Sequence, residues 1–148
     1  MDRDIQSLRK HGVQASAQRL AVARYVLHTS DHPCADEVFS HVRRGFPTLS
    51  RATVYNTLNL FVDRGLLRQH SLKEGRVVFD PNLARHHHFI DAETGEIHDL
   101  PWDALDVSGV DRVEEFEVEE FQVVLRGRRR ENRHRGSSRA AVSEGERP

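Results

Sequence analysis

The sequence predicts an α+β protein with two parts, an N-terminal winged helix-turn-helix domain followed by a small α/β dimerisation domain. Within residues 1–80, segments with helical spacing of apolar residues precede a segment that alternates apolar and polar residues. Residues 81–127 instead carry a histidine-rich hairpin pattern followed by scattered apolar residues. Residues 128–148 form a basic tail without hydrophobic periodicity, which we expect to be disordered.

Three helices are expected at the start of the chain, each marked by residues that begin or end a helix. Gly12 ends the first, which spans residues 4–11. Ser16 caps the second, and the Asp-His-Pro sequence at 31–33 breaks it. The third spans about residues 35–42. Short helices in this order are typical of a small DNA-binding bundle.

A fourth helix has two different faces. Ser50 caps the sequence RATVYNTLNLFVDRG, whose apolar face is formed by Val54, Leu58, Phe61 and Val62. The opposite face places Arg51, Tyr55 and Asn59 at successive intervals of four residues. Arg and Asn side chains hydrogen-bond to base edges in the major groove, and Tyr packs on thymine methyl groups.

A β-hairpin is expected directly after this helix. The sequence LLRQHSL, a Lys-Glu-Gly turn at 73–75 and the sequence RVVFD alternate as paired strands do. Helices followed by a hairpin form a winged helix-turn-helix, so we predict binding to double-stranded DNA, with a protein-interaction module as the alternative. The residues expected to contact DNA are Arg19, Arg51, Tyr55, Asn56, Asn59, Lys73 and Arg76.

Charge is partitioned along the chain although the net charge is only −1. Residues 1–80 carry +4, residues 81–125 carry −10 and residues 126–148 carry +5. The basic first part can therefore face phosphates. No apolar run approaches the roughly 20 residues of a membrane helix, and the start lacks an apolar signal region, so we expect a cytoplasmic protein without a membrane partner. Hydrolase and phosphate-loop motifs are missing from the sequence, which argues against an enzyme.

The sequence RHHHFIDAETGEIHDL opens the second part. Alternation along a strand puts His86 and His88 on one face and His87 on the other. A turn at 94–95 returns a second strand that carries Asp99. Imidazole and carboxylate ligands without thiolate suit Fe, Mn, Co, Ni or Zn, so we predict a metal site, with surface histidines as the alternative.

Several segments resemble, in order and at consistent spacing, the ferric uptake regulator family of bacterial metal-dependent transcription factors. They are GVQASAQR, DHPCADEVF, SRATVYNTLNLFVDRGLL, RVVFD and HHHFIDAETGEIHDL, and the resemblance covers residues 5–127. It implies a homodimer that binds a palindromic operator, and a regulatory site for Fe²⁺ or Mn²⁺ that also accepts Zn²⁺ in vitro. By this resemblance the ligands are His32, Asp80, His86, His88 and Asp99.

The sequence departs from the family at the structural zinc site, which most members build from Cys-x-x-Cys pairs. Asp91 and Thr94 stand where the first pair would be, and the chain has one cysteine, Cys34, so a Cys₄ zinc site is excluded. We expect apolar packing, or another metal, to hold this half together instead. The side chains expected to provide it are Phe89, Ile90, Ile97, Leu100, Trp102, Leu105, Val113, Phe116, Val118, Phe121, Val123 and Leu125.

A second family metal site, built from histidine and carboxylate ligands, maps only in part onto this sequence. The matching residues are His87, Asp106 and Glu119 or Glu120. The thiol of Cys34 lies close to the regulatory site in the sequence and invites a redox role, but we favour a small buried side chain there.

Two branches of the family resemble this chain in different ways. Aspartate at position 99 resembles the peroxide-sensing branch, in which Fe²⁺ with an open coordination position reduces H₂O₂ and oxidises a neighbouring imidazole. His32 or His86 would be that imidazole here. The HHHF sequence followed by EIHDLP also resembles the iron-response branch, whose members respond to haem through an HHH segment. Peroxide is therefore the first expectation for the signal, and iron or haem status is the second.

Overall fold

Four helices form a bundle at the start of the chain, in a computed structural model that describes residues 2–73 and 75–131. They are α1 (Arg3–Lys10), α2 (Ala17–Val26), α3 (Ala35–Val42) and α4 (Arg51–Asp63). The side chains of Asp2, Ser16 and Ser50 accept hydrogen bonds from the first turns of α1, α2 and α4. All four predicted helices are confirmed, the first beginning one residue earlier than expected. No helix in these residues has both the length and the apolar character needed to cross a membrane.

The core of the bundle lies where the apolar stripes of the helices meet. Its completely buried members include Leu8, Val22, Val26, Val38, Val54, Leu58 and Phe61. On α4 this confirms most of the predicted inner face, but Val62 is only half-buried and Thr57 is buried in its place. Val62 borders an open cleft, which explains its exposure. The opposite face, with Arg51 and Tyr55, is exposed as predicted.

The end of α4 sets the direction of the chain into the hairpin. Gly65 has φ +79°, the left-handed conformation that closes a helix with little strain for glycine. Its N–H donates to the carbonyl of Val62 at 3.1 Å, and the N–H of Leu66 donates to the carbonyl of Phe61 at 2.8 Å. These two bonds form a Schellman motif, which ends the helix and starts the first strand from a defined direction.

The predicted hairpin is present as β1 (Arg68–Lys73) and β2 (Arg76–Asp80). The strands pair antiparallel, with His70 opposite Val78 and an irregularity between His70 and Lys73. Gly75, with φ +67°, lies in the turn, while Glu74 lies outside the described residues. The hairpin therefore places the last residue of β2 at the boundary between the two parts of the chain.

The second part contains a three-stranded sheet in the order β4-β3-β5. Its strands are β3 (His86–Asp91), β4 (Ile97–Pro101) and β5 (Val124–Gly127). β3 pairs antiparallel with β4 and parallel with β5. At the β3–β4 turn the carboxylate of Asp91 accepts the N–H groups of Glu93 and Thr94 at 2.8 and 3.3 Å. An Asx turn thus occupies the position where the family resemblance would place a cysteine pair.

The expectation that a large apolar set holds the second half together is wrong for the single chain. Of that set, all within the described residues, Ile90 and Ile97 are buried, and they pack with Leu72 and Val78 of the hairpin. Phe116 is 70% exposed. Residues 105–123 contain a single-turn 3₁₀ helix (Val110–Arg112) but no strand, and in this range Phe121 packs against Trp102, with 4.9 Å between ring centroids. Most of the predicted basic tail, residues 132–148, lies outside the described residues.

Candidate metal centre

Strand β3 sends its histidines to opposite sides of the second sheet. His86 and His88, only 6% and 0% exposed, lie on one side as the alternation predicted. Asp99 stands directly opposite His88 in the β3–β4 register. His87 lies on the other side, where its ring stacks on Trp102 with 4.5 Å between centroids. The hairpin therefore brings two imidazoles and one carboxylate to the same place.

The loop before α3 adds a third imidazole from the first part of the chain. His32 has φ +50°, a conformation that costs a non-glycine residue about 1–3 kcal/mol. The loop is held against β2 by a bridge between Cys34 and Val78 and by the N–H of Phe79, which donates to the carbonyl of Pro33 at 2.9 Å. The buried thiol of Cys34 fits the packing role that the sequence favoured. The surrounding contacts thus hold His32 in its strained conformation.

One carboxylate oxygen, Asp80 Oδ2, lies at the centre of the imidazoles. Its distances to their Nε2 atoms are 2.9 Å for His86, 3.3 Å for His32, 3.5 Å for His88 and 3.7 Å for His70. A second oxygen, Asp99 Oδ1, lies 2.7 Å from Nε2 of His32, 3.4 Å from that of His86 and 3.5 Å from that of His88. The five ligands implied by the family resemblance therefore lie in one cluster around these two oxygens.

In two of the imidazoles, the hydrogen bond made by Nδ1 determines whether Nε2 carries a proton or a lone pair. Nδ1 of His32 donates to the carbonyl of Ser30 at 2.9 Å, and Nδ1 of His86 donates to the carbonyl of Ala84 at 2.6 Å. With the Nδ1 proton committed, each neutral ring turns an Nε2 lone pair toward the carboxylates. Lone pairs that face anionic oxygens at these distances require positive charge between them, supplied by protons or by a metal ion.

Asn82 orients both carboxylates, a role that the sequence analysis did not identify. Its backbone N–H donates to Asp80 Oδ1 at 2.9 Å, and its side-chain Nδ2 donates to Asp99 Oδ2 at 3.0 Å. One oxygen of each carboxylate is occupied in this way, which leaves the other free to face the imidazoles. The Asp-Pro-Asn sequence at 80–82 is typical of a turn, and this pattern was the sequence signal available for Asn82.

The charged groups of the cluster favour the ionised forms of Asp80 and His32. Burial raises the pKa of Asp80, but hydrogen bonds from His32 and His88 and from the backbone of Asn82 outweigh it and hold that pKa well below its usual range. Burial also lowers the pKa of His32, but the carboxylates of Asp80 and Asp99 outweigh it and raise that pKa. Asp80 is thus an anion at neutral pH, and a metal ion that binds His32 displaces a proton.

Parts of the cluster have the spacing that a single divalent metal ion requires. Ligand atoms about 2.1 Å from a shared ion lie about 3.0 Å apart at 90° and about 4.2 Å apart when opposite. The separations of 2.7 to 3.7 Å between the carboxylate oxygens and the imidazole nitrogens fall close to this range. Two overlapping groups satisfy the spacing, one formed by His32, Asp80, His88 and Asp99, the other by His70, Asp80, His86 and His88.

His70 is the cluster residue that the sequence analysis missed. It lies on β1 of the hairpin and is 7% exposed. Burial, followed by the charge of His88, lowers the pKa of His70 to about 4, so its ring is neutral at physiological pH. A signal was available in the sequence. His70 lies two residues before the apolar Leu72, so the two side chains share one face of the strand, and that face is buried.

The residues expected for a second metal site are not brought together. Nδ1 of His87 accepts the backbone N–H of Val123 at 2.9 Å, and its ring is stacked as described above. The carboxylate of Glu120 accepts from Arg68 at 2.8 Å, and Asp106 and Glu119 are exposed. Among residues 2–73 and 75–131, neither group with metal-type spacing includes any of them. The structure of the single chain therefore gives this site no support.

The polar face of α4 is partly organised by α3. The hydroxyl of Tyr55 donates to Asp36 Oδ1 at 2.5 Å, and the guanidinium of Arg51 donates to the same oxygen. Arg51 also lies over the ring of Phe39, 4.6 Å from its centroid. The predicted Asn59 is exposed nearby, as is Asn56. The Asp36 carboxylate thus fixes the side chains of Tyr55 and Arg51 on this face.

Of the remaining residues predicted to contact DNA, Arg19 lies on α2 and the other two lie on the hairpin. Arg19 is half-buried and donates to the carbonyl of Gln14 at 3.2 Å. Arg76 is exposed on β2, with Nη1 3.9 Å from the sulfur of Cys34. The side chain of Lys73 lies outside the described part of the chain.

Known proteins resemble this chain in sequence over most of its length. The family model "Ferric uptake regulator family" matches residues 10–126. A relative in Staphylococcus epidermidis, the peroxide-responsive repressor PerR, is 37% identical over 106 residues, or 72% of this chain and 71% of that protein.

Solved structures agree in fold. The peroxide stress regulator of Campylobacter jejuni has a TM-score of 0.61 and 27% identity, covering 88% of this chain and 98% of that one. The manganese-bound ferric uptake regulator of Pseudomonas aeruginosa has a TM-score of 0.62 and 23% identity, covering 86% and 98%. The α+β prediction, with a winged helix-turn-helix domain followed by a dimerisation domain, is confirmed. Since the match spans most of both parts, the chain belongs to the ferric uptake regulator family.

Proposed function

We propose that this protein is a metal-dependent transcriptional repressor that senses peroxide through Fe²⁺ or Mn²⁺. In this proposal His32, Asp80, His86, His88 and Asp99 hold the ion, and α4 contacts a palindromic DNA operator. The observation that supports it best is the convergence of ligand atoms from both parts of the chain. His32 Nε2, from the helical part, lies 2.7 Å from Asp99 Oδ1, from the second sheet.

The ligands link metal binding to the position of the DNA-binding helix. His32 belongs to the same helical bundle as α4, whereas His86, His88 and Asp99 belong to the second sheet. An ion that binds all of them favours one arrangement of the two parts. Shifting two arrangements from 1:99 to 99:1 requires a preference of about 5.5 kcal/mol. Several imidazole and carboxylate ligands are sufficient for a preference of this size.

A homodimer gives this link its effect on DNA. Two recognition helices in a symmetric dimer must match half-sites about 34–36 Å apart, so a small change in angle removes the fit. The exposed apolar side chains of Val113, Phe116 and Val118 support a partner in this region, because single chains rarely expose such groups together. A second copy of the chain is the partner that we propose.

Peroxide sensing is supported by the ligand set and by the peroxide-responsive relatives. If these residues held Fe²⁺, the ion would supply the reducing chemistry toward H₂O₂, and the oxidant produced would lie beside the ligand imidazoles. His32 and His86 lie next to that position, each fixed by a hydrogen bond from Nδ1 to a backbone carbonyl. An oxidised ring would no longer bind the ion in the same way, and the two parts of the chain would lose their link.

The peroxide proposal is tested by mass spectrometry of protein loaded with Fe²⁺ under anaerobic conditions and then given a small dose of H₂O₂. We expect one added oxygen on the peptide that contains His32 or on the one that contains His86. Protein loaded with Mn²⁺ is the control and should stay unmodified. Unmodified histidines in both samples, with reversible iron binding, would contradict peroxide sensing and favour a regulator of iron or haem status.

The DNA contacts are tested by separate changes on α4. Replacing Tyr55 or Arg51 with alanine should weaken operator binding roughly 5- to 150-fold, because each removes a donor from the groove-facing helix. Metal affinity should not change, since neither residue touches the cluster. Arg44→Ala, an exposed arginine elsewhere on the bundle, is the matched control. Loss of metal from the Tyr55 variant would contradict the separation of the two roles.

A further inference from the structure

The two ligand groups of the metal cluster overlap only in part. The first group contains His32 and Asp99, the second contains His70 and His86, and both use Asp80 and His88. Nε2 of His88 faces the carboxylates of both groups, 3.5 Å from Asp80 Oδ2 and 3.5 Å from Asp99 Oδ1. Because its single lone pair binds one ion at a time, the two groups are alternative positions for an ion.

The separations in the second group fit tetrahedral coordination. Ligand atoms about 2.1 Å from a tetrahedral ion lie about 3.4 Å from one another. The distances from Asp80 Oδ2 to the imidazole Nε2 atoms are 2.9 Å for His86, 3.5 Å for His88 and 3.7 Å for His70. The Nε2 atoms of His86 and His88 are 3.0 Å apart. Small shifts of these atoms therefore bring three nitrogens and one oxygen to a common distance from one ion.

The ring of His70 has an unused nitrogen on the side of this group. Its Nε2 atom is inaccessible to solvent and has no hydrogen-bond partner among the described residues, although buried polar atoms nearly always have one or bind an ion. On the other side of the ring, the side-chain amide of Gln122 lies 3.5 Å from Nδ1. With its oxygen turned to this nitrogen, the amide accepts the Nδ1 proton and leaves a lone pair on Nε2.

We propose that the second group is a separate position for Zn²⁺, which competes with the regulatory ion. The proposal rests on the proposed function, because both positions use Asp80 and His88. Three imidazoles and one carboxylate at tetrahedral spacing suit Zn²⁺, whereas two imidazoles and two carboxylates in the first group favour a harder ion such as Mn²⁺. Burial differs in the same sense. All four members of the second group are buried, but the Asp99 side chain of the first is 32% exposed.

An ion in the second position does not bind the loop that carries His32. The hairpin and strand β3 provide all of its ligands, whereas His32 comes from the loop before α3. Nε2 of His32 lies 2.7 Å from Asp99 Oδ1, so these two side chains stay paired with each other when the ion lies in the second position. Zn²⁺ thus occupies ligands that the regulatory ion needs without fixing the His32 loop, and it acts as an inhibitor of the metal response.

The proposal is tested with full-length protein by measuring Zn²⁺ and Mn²⁺ affinities in competition with a metal-binding fluorophore. His70→Phe and His70→Ala should each lower the ratio of Zn²⁺ affinity to Mn²⁺ affinity at least about 10-fold, because both remove a ligand of the second group alone. Asp99→Asn should raise this ratio, since Asp99 belongs only to the first group. X-ray absorption of the Zn²⁺-loaded parent should show four ligands at about 2.0–2.1 Å, three of them imidazoles.

The control is His98→Phe, a histidine on β4 that pairs opposite Phe89 and lies outside both groups. It should keep the affinity ratio of the parent. If the parent responds to Mn²⁺ but both His70 variants keep its affinity ratio, the second position is overturned and the proposed function stays intact. Zn²⁺ that fails to displace Mn²⁺ from the parent would overturn it as well, because the two positions share ligands. A parent protein that binds neither ion would overturn the proposed function itself.

Discussion

Replacing Asp80 with asparagine should lower Mn²⁺ affinity at least about 100-fold and abolish metal-dependent binding to the operator. Asp80 Oδ2 lies within 3.7 Å of four imidazole nitrogens, more than any other oxygen of the cluster. Asparagine keeps the size of the side chain and its contact with Asn82 but removes the negative charge. The measurement is operator binding by fluorescence anisotropy, with Mn²⁺ present and after its removal by a chelator.

Asp103→Asn is the control, because this exposed aspartate lies in the second part of the chain but outside the cluster. Its operator binding should respond to Mn²⁺ as the parent does. If the Asp80 variant still binds operator as tightly as the parent at the same Mn²⁺ concentration, the proposed cluster does not control DNA binding.

Replacing Phe61 with alanine should lower the free energy of unfolding by about 3–5 kcal/mol. The Phe61 ring is completely buried on α4, and its carbonyl accepts the N–H of Leu66 where the helix ends. A cavity at this point loosens the helix that carries the DNA-contacting face. A loss of this size is a large part of the 5–15 kcal/mol typical of a whole domain.

The measurement is chemical denaturation of the metal-free protein, followed by circular dichroism. Leu83→Ala is the control, because this leucine is 49% exposed and its loss should change stability by less than about 0.5 kcal/mol. Equal stability of the Phe61 variant and the parent would show that α4 is not held by the core described here.

Local patterns predicted the parts of the site that lie on one hairpin. Two-residue alternation was enough to place His86 and His88 together, and the turn between β3 and β4 brought Asp99 opposite. His32 lies 67 residues from Asp99 in the chain, so no periodicity connects them. The prediction that His32 is a metal ligand came from the family resemblance, as did the same prediction for Asp80. Contacts between distant segments depend on how the two parts pack, which a local pattern does not record.

The omissions have similar physical causes. His70 and Asn82 contribute to the cluster through long-range geometry, and the sequence marks them only as an inward strand residue and a turn residue. The apolar residues of the second half showed the opposite error. Their composition suggested a core, yet Phe116 and its neighbours are exposed because the single chain offers no surface to cover them. Composition tells which side chains avoid water, but not which partner buries them.

The Asx turn at Asp91 makes the fold of the β3–β4 turn independent of bound metal and of thiol oxidation. Hydrogen bonds from Glu93 and Thr94 to one carboxylate close this turn, so its folding requires neither a bound ion nor a reduced thiol. A chelator that strips the metal centre should leave the β3–β4 turn folded. Thiol oxidants likewise find no zinc–thiolate group in this turn. The β3–β4 turn should therefore keep its shape while metal is removed from the centre and returned to it.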